Sequence, residues 1–225
     1  MSTKPEVIYV GDPMCSWCWG MAPIVHHIAE RDDVDVSVLV GGLRPGPSAQ
    51  PLDDSMRATL RHHWEKVAEV SGQPFSFGAL AREDWIYDTE LPAIAVATMR
   101  NLLPAETLGF FTDLQRAFYS DGVDITSAEA YPELVAGYDV DPDEFSADIA
   151  SPEGRSRAWK DFAEVRELGV LGFPTVLLRI DAGTQVLSRG YANRSYFDDQ
   201  LGYWVEGRLP DAADVGTCSL DTGVC

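Results

Sequence analysis

Two thiols at a spacing of three carry the chemistry of this chain. They are Cys15 and Cys18, in Gly11-Asp12-Pro13-Met14-Cys15-Ser16-Trp17-Cys18-Trp19-Gly20. A thiolate is the nucleophile of disulfide exchange, and a second thiol one helical turn away can close a small disulfide ring with it. The stretch follows the apolar run Val7-Ile8-Tyr9-Val10 and opens a helical pattern through Ile24, Val25 and Ile28. At a helix start, unpaired N–H groups and the positive dipole end favour a thiolate. Strand, turn, CxxC and helix in that order predict Cys15 as the exposed attacker and Cys18 as the shielded, resolving thiol. Ser16-Trp17 leaves the Ser16 N–H able to donate toward Cys15. Trp17 and Trp19 could rim a peptide site, with Trp19 equally suited to the core.

Zinc is the competing use of such thiols. The other ligand types are Cys218, Cys225, His26, His27, His62 and His63. Six residues separate Cys218 from Cys225, against about two to four in zinc knuckles. His26 follows Cys15 by eleven residues on the same expected helix, roughly 16 Å along its axis. That is too far to share an ion, so no metal site is expected.

The thiols need a frame. Val7–Val10 reads as one strand, and Val34, Val36, Val38 and Val40 as a second, with parallel pairing expected across the intervening helix. A loop follows at Gly42–Pro47. Helices are then expected over Ser55–Glu69, through Leu91, Ile94, Ala95, Thr98 and Leu102, and through Leu108, Phe111, Leu114 and Phe118 after Pro104. Short helices follow at Ser127–Ala136 and Pro142–Ala150, and a longer one at Pro152–Leu168. Strand character returns over Thr175–Ile180, and a turn at Asp181-Ala182-Gly183 leads to a partner strand, Gln185–Ser188. A last helix carries Phe197, Leu201 and Trp204. The order β-α-β, helical block, β-β-α gives an α/β unit made of residues 1–50 and 169–209. A helical insertion occupies 51–168, and a tail with the second cysteine pair occupies 210–225.

The 225 residues suffice for a substantial core, and 45% hydrophobic with 24% charged residues is ordinary for a globular chain. The charge is not ordinary: 17 basic against 36 acidic residues leaves −19. Such a field repels nucleic acid and anionic membranes, so neither is an expected partner. No secretory leader is legible, and no run approaches the ~18 apolar residues of a membrane span. A cytoplasmic location is expected, where structural disulfides are rare and a CxxC reads as catalytic or metal-binding.

Gly172-Phe173-Pro174-Thr175 stands just before the returning strand. Pro174 is either an ordinary strand-opening proline or the cis-proline that thioredoxin-like folds set against the CxxC. In the second case the Phe173 backbone could pair with an extended substrate segment. With these residues in place, the chain resembles the DsbA family of thiol-disulfide oxidoreductases, a thioredoxin fold with a central helical insertion. The likeness runs to about Leu209. The phrases Asp12–Gly20, Gly41–Gly46, His63–Phe75 and Tyr87-Asp88-Thr89-Glu90 are most similar to a cytoplasmic, protein-disulfide-isomerase-like branch.

The resemblance implies Cys15 as nucleophile, Cys18 as resolving thiol and Pro174 as cis-proline, with Ser16, Trp17, Phe173 and Thr175 supporting the site. It implies exchange without a required cofactor, on protein or glutathione disulfides. Ser16-Trp17 replaces the Pro-His of the periplasmic oxidant, which points toward reduction or isomerisation. Arg44 and His63 are either groove residues that favour the Cys15 thiolate and hold a substrate carboxylate, or scaffold. Trp64 and Tyr87 read as scaffold. Cys218 and Cys225 are either a second redox pair or a labile tail disulfide. Two rival functions share the fold: a kappa-class-like glutathione transferase or isomerase, which has serine in place of Cys15, and a non-catalytic adaptor.

Overall fold

The computed structural model describes residues 4–181 and 183–205. Strand β1 (Glu6–Gly11) and strand β2 (Asp35–Val40) pair in parallel on either side of helix α1 (Ser16–Ala29). Strand β5 (Thr175–Ile180) lies antiparallel to β1, and β6 (Gly183–Arg189) antiparallel to β5, in the sheet order β2-β1-β5-β6. Helix α8 (Arg194–Val205) closes this half. The β-α-β and β-β-α halves thus form one sheet, as the residue pattern predicts.

Strand β1 is buried on both faces, which is why Val7–Val10 reads as an unbroken apolar run. Val7 and Tyr9 join the core packed by α1 and α8. Ile8 and Val10 turn the other way, onto Val165 and Val170. Those two residues belong to, or directly follow, helix α7 (Pro152–Glu167), the last helix of the central block. The sheet is therefore covered on its second face by the block itself.

The block is not wholly helical. Strand β3 (Gln50–Pro51) precedes helix α2 (Asp54–Ser71) and pairs with strand β4 (Ile86–Tyr87). Helices α3 (Glu90–Leu102), α4 (Thr107–Tyr119), α5 (Tyr131–Leu134) and α6 (Pro142–Ile149) follow. Of the helix expected over Ser127–Ala136, the structure keeps a 3-10 turn at Ala128–Ala130 and the single turn α5. Pro132 lacks the N–H that would carry a longer ladder through this segment. Asp53, Asp141 and Ser151 cap α2, α6 and α7 by accepting backbone N–H groups at their starts.

Two seams hold the block to the sheet half. Pro23 inside α1 removes the donor that would meet the Trp19 carbonyl, and the Gln73 amide supplies one instead at 3.1 Å. Across the molecule, the buried Asp161 carboxylate of α7 accepts two bonds of 2.7 Å from Arg100 on α3, and one of 3.1 Å from the Val40 N–H of β2. Arg100 also donates to the Val38 carbonyl at 2.8 Å. Asp161→Ala strands a guanidinium and a backbone N–H, so it should lower stability by about 3 kcal/mol. Urea unfolding checks this; a loss below about 1 kcal/mol contradicts it.

Candidate active site

The CxxC turn is fixed before α1 begins. Strand β1 ends at Gly11, and the Asp12 carbonyl accepts the Cys15 N–H at 3.0 Å. Cys15 is the extended N-cap residue of α1, with no side-chain cap bond. Where α2, α6 and α7 place a capping oxygen, this helix places sulfur. The first helical bond runs from the Trp19 N–H to the Cys15 carbonyl, so the N–H groups of Ser16, Trp17 and Cys18 start the helix without helical acceptors, around that sulfur.

Both thiols are free. Cys18 is fully buried, as expected, but Cys15 is itself only 7% exposed, which corrects the reading of an exposed attacker. The loop before β5 covers it: the Cys15 thiol donates to the Phe173 carbonyl at 3.5 Å. Burial, and then the hydrogen bond with Cys15 and its charge, push the Cys18 thiol up.

The Phe173–Pro174 peptide bond is cis. The Thr175 hydroxyl donates to the Gly172 carbonyl at 2.8 Å, and Gly190 N–H donates to the Pro174 carbonyl at 2.7 Å. Thr175 is buried and braces the loop from behind. The Phe173 ring lies on Gly41, where a Cβ would stand 2.0 Å from the ring, so only glycine fits there. Trp17 is half-buried and leans on Tyr191, with ring centroids 5.7 Å apart. Trp19 is core: its indole donates to the Pro74 carbonyl at 3.0 Å.

A groove of about 610 Å³ opens over Cys15, lined among others by Ser16, Trp17, Arg44, His63, Arg166 and Phe173. Arg44 and His63, far apart in sequence, therefore share a site with Cys15. The Arg44 guanidinium lies 5.7 Å from the Tyr87 ring centre and 3.9 Å from the Met56 sulfur. It forms no ion pair among the described residues and caps no helix. Trp64 and Tyr87 are buried, and they also wall the groove. A second depression of about 670 Å³ beside Glu6, Asp35 and Arg179 contains no thiol. Among the described residues no cluster of histidine, cysteine and carboxylate could hold a metal ion. Cys218 and Cys225 lie outside the described residues.

Sequence reasoning missed the side chains that hold the groove loop. The fully buried Asp12 carboxylate accepts Met14 N–H at 2.9 Å and Leu43 N–H at 2.7 Å. Thr89 accepts Arg44 N–H at 3.0 Å, and Asp88 accepts Gly46 N–H at 2.9 Å. Tyr87 donates to the Met14 carbonyl. The available signal was an aspartate at the exit of an apolar strand, directly before the CxxC.

This arrangement has relatives. Residues 6–190 match the DSBA-like thioredoxin domain. The chain belongs to that family. A candidate protein disulfide isomerase from Nitrosomonas europaea is 30% identical, with a TM-score of 0.83 over 91% of this chain and 99% of that one. The cytosolic disulfide reductase DsbM from Pseudomonas aeruginosa is 25% identical, with a TM-score of 0.72 over 88% of this chain and 98% of that one. A structure of DsbM with GSH shares the fold at 24% identity, with a TM-score of 0.69 over 88% of this chain and 99% of that one. A search of curated proteins found no match. Among the described residues of this DSBA-like chain, no helix is long and apolar enough to cross a membrane.

Burial pushes the Asp12 carboxyl up to about 6 from 3.8, against its backbone hydrogen bonds. Its folded form therefore holds a proton more tightly than the unfolded chain does. The stability this supplies is complete below about pH 3.8 and is lost as pH rises through about 6. Chemical unfolding of the wild type, compared with Asp12→Asn across pH 4–7, should show the difference shift against the wild type by on the order of 3 kcal/mol. A flat difference contradicts the assignment.

Proposed function

We propose that this DSBA-like chain is a cytoplasmic thiol-disulfide oxidoreductase that reduces or isomerises protein and glutathione disulfides through Cys15 and Cys18. The observation that carries the reading is Cys15 at the start of α1, three residues before the buried Cys18 and donating to the carbonyl of Phe173, which precedes the cis-proline. Cys15 thiolate attacks one sulfur of a substrate disulfide, forming a mixed disulfide and expelling the other sulfur as a thiolate. Cys18 then gives up its proton and attacks Cys15. The Cys15–Cys18 disulfide forms, and the second substrate thiolate leaves with the electron pair. The exchange requires no metal or dissociable cofactor. Phe173 and Pro174 form the backbone edge for an extended substrate, and Ser16 with Trp17 borders it.

The Nitrosomonas and Pseudomonas relatives support the isomerase and cytosolic reductase sides of this reading, and the DsbM structure with GSH supports glutathione as a redox partner. Arg44 is the anchor for a substrate carboxylate, because the groove gives it an aromatic face and a sulfur but no anion. His63, on the α2 wall, assists it. The intact dithiol favours exchange over a kappa-class-like transferase or a non-catalytic adaptor.

Cys15→Ser should abolish insulin reduction, and retained turnover would sink the proposal. Cys18→Ser should instead accumulate a mixed disulfide at Cys15, detected as an adduct by intact mass. Arg44→Ala should raise KM for glutathione disulfide roughly tenfold with little change in kcat; an unchanged KM removes Arg44 from substrate binding. The Cys218→Ser/Cys225→Ser double variant separates the two readings of the tail: turnover falls if the pair relays electrons and holds if it does not.

A further inference from the structure

The first thiol has a helix terminus and an open groove to receive its charge. The second has neither. Cys18 is fully buried, and burial opposes the thiolate it must become to attack Cys15. From the β1 side the Tyr9 hydroxyl reaches this residue, donating to its carbonyl at 3.4 Å. Hydrogen bonding from Tyr9 and from the Asp12 backbone favours the charged sulfur over the neutral one.

Tyr9 is built into this position. It sits on β1 with 1% exposure, and its ring is wedged edge-on against Phe111, centroids 5.6 Å apart at 79°. Gly11 gives it room: a Cβ there would come within 3.1 Å of the Tyr9 hydroxyl and of the Phe111 ring. The hydroxyl ends under the first turn of α1, 3.4 Å from the Cys18 carbonyl oxygen, to which it donates. Burial holds that hydroxyl protonated, so it remains a donor throughout the working range. The Cys18 carbonyl also occupies a normal position in the α1 ladder and can release the hydroxyl at small cost.

We propose that Tyr9 is a catalytic residue of the resolving step, its hydroxyl swinging from the Cys18 carbonyl to the Cys18 sulfur as negative charge develops there. This rests on the oxidoreductase reading and deepens it. In the step, the Cys18 thiol loses its proton to water, or to the departing thiolate where that sulfur is basic enough to keep it. Its sulfur forms the bond to Cys15, and the Cys15–substrate bond breaks with its electron pair on the substrate sulfur. Cys15 and Cys18 are oxidised, and the substrate is reduced. Tyr9 transfers no proton. It donates a hydrogen bond that is stronger to the charged sulfur than to the neutral one, the condition for accelerating a step.

The test is rapid mixing of the reduced full-length chain with one equivalent of dithiobis(nitrobenzoate), followed by thionitrobenzoate absorbance. Cys218→Ser/Cys225→Ser is the background, so that Cys15 and Cys18 are the only thiols. The first release reports attack by Cys15, and the second reports resolution by Cys18. Tyr9→Phe should slow the second phase about tenfold or more and leave the first within about twofold. The second phase should also rise at higher pH than in the background protein. Gly11→Ala, which keeps the hydroxyl but crowds it, should slow the second phase selectively and decides the matter should Tyr9→Phe fail to fold. An unchanged second phase, or equal slowing of both phases, overturns the role of Tyr9. A background protein that gives no second phase overturns the dithiol reading instead.

Discussion

A carboxylate taken out of water must find donors within the protein, and the way Asp12 does so organises this molecule. One oxygen takes the Met14 N–H in the CxxC turn, and the other takes the Leu43 N–H in the loop that leaves β2. Its own carbonyl takes the Cys15 N–H. Strands β1 and β2 are parallel neighbours, so their exits lie side by side at one end of the sheet. Asp12 laces those exits together. One residue thereby sets the place of the thiol and the place of the loop that carries Arg44. The site sits beyond the carboxyl ends of adjacent parallel strands, where α/β sheets form their crevices.

The central block completes what Asp12 begins. The loop from Leu43 to Gly46 has backbone donors that no sheet or helix satisfies, and Asp12, Thr89 and Asp88 accept them in turn. Tyr87 braces the CxxC turn from the same segment, and Glu90 accepts from Arg155 and Trp159 of α7. Tyr87-Asp88-Thr89-Glu90 is thus a bracket joining the groove loop, the thiol turn and the second cover of the sheet. The insertion is part of the site's construction as well as a wall beside it.

Periodicity made most of this frame legible. The β-branched run Val34–Val40, the apolar run Val7–Val10 and the faces of α3 and α4 each span enough residues to show their period. Strands β3 and β4 have two residues each, too few for alternation to register. The covered Cys15 was equally hidden, because its exposure depends on a loop 158 residues away in sequence. Residue types identified the thiols, and Phe173-Pro174 was placed by resemblance. The functions of Asp12, Asp88 and Thr89 needed the fold, since their acceptors meet N–H groups distant in the chain. Arg44 was assigned to the groove or the scaffold with equal reason, and only its position beside Cys15 puts it in the groove.

Charge gives that position its meaning. With 36 acidic residues to 17 basic ones, eight of the thirteen described arginines meet a carboxylate. Arg57, Arg61, Arg166 and Arg189 share with Arg44 the lack of one among the described residues, and of these Arg166 also lines the groove. Arg44 meets an aromatic face and a thioether instead, in a groove whose floor is Cys15. The net −19 opposes polyanions such as nucleic acid and anionic membranes, but screening beyond a Debye length of about 8 Å leaves a single carboxylate little opposed until it reaches the groove. Inside it, the half-buried Arg44 offers a guanidinium already held against an aromatic face, so less is lost in ordering it onto a carboxylate than for an exposed one. On the oxidoreductase reading with Arg44 as anchor, selection happens at contact, after arrival.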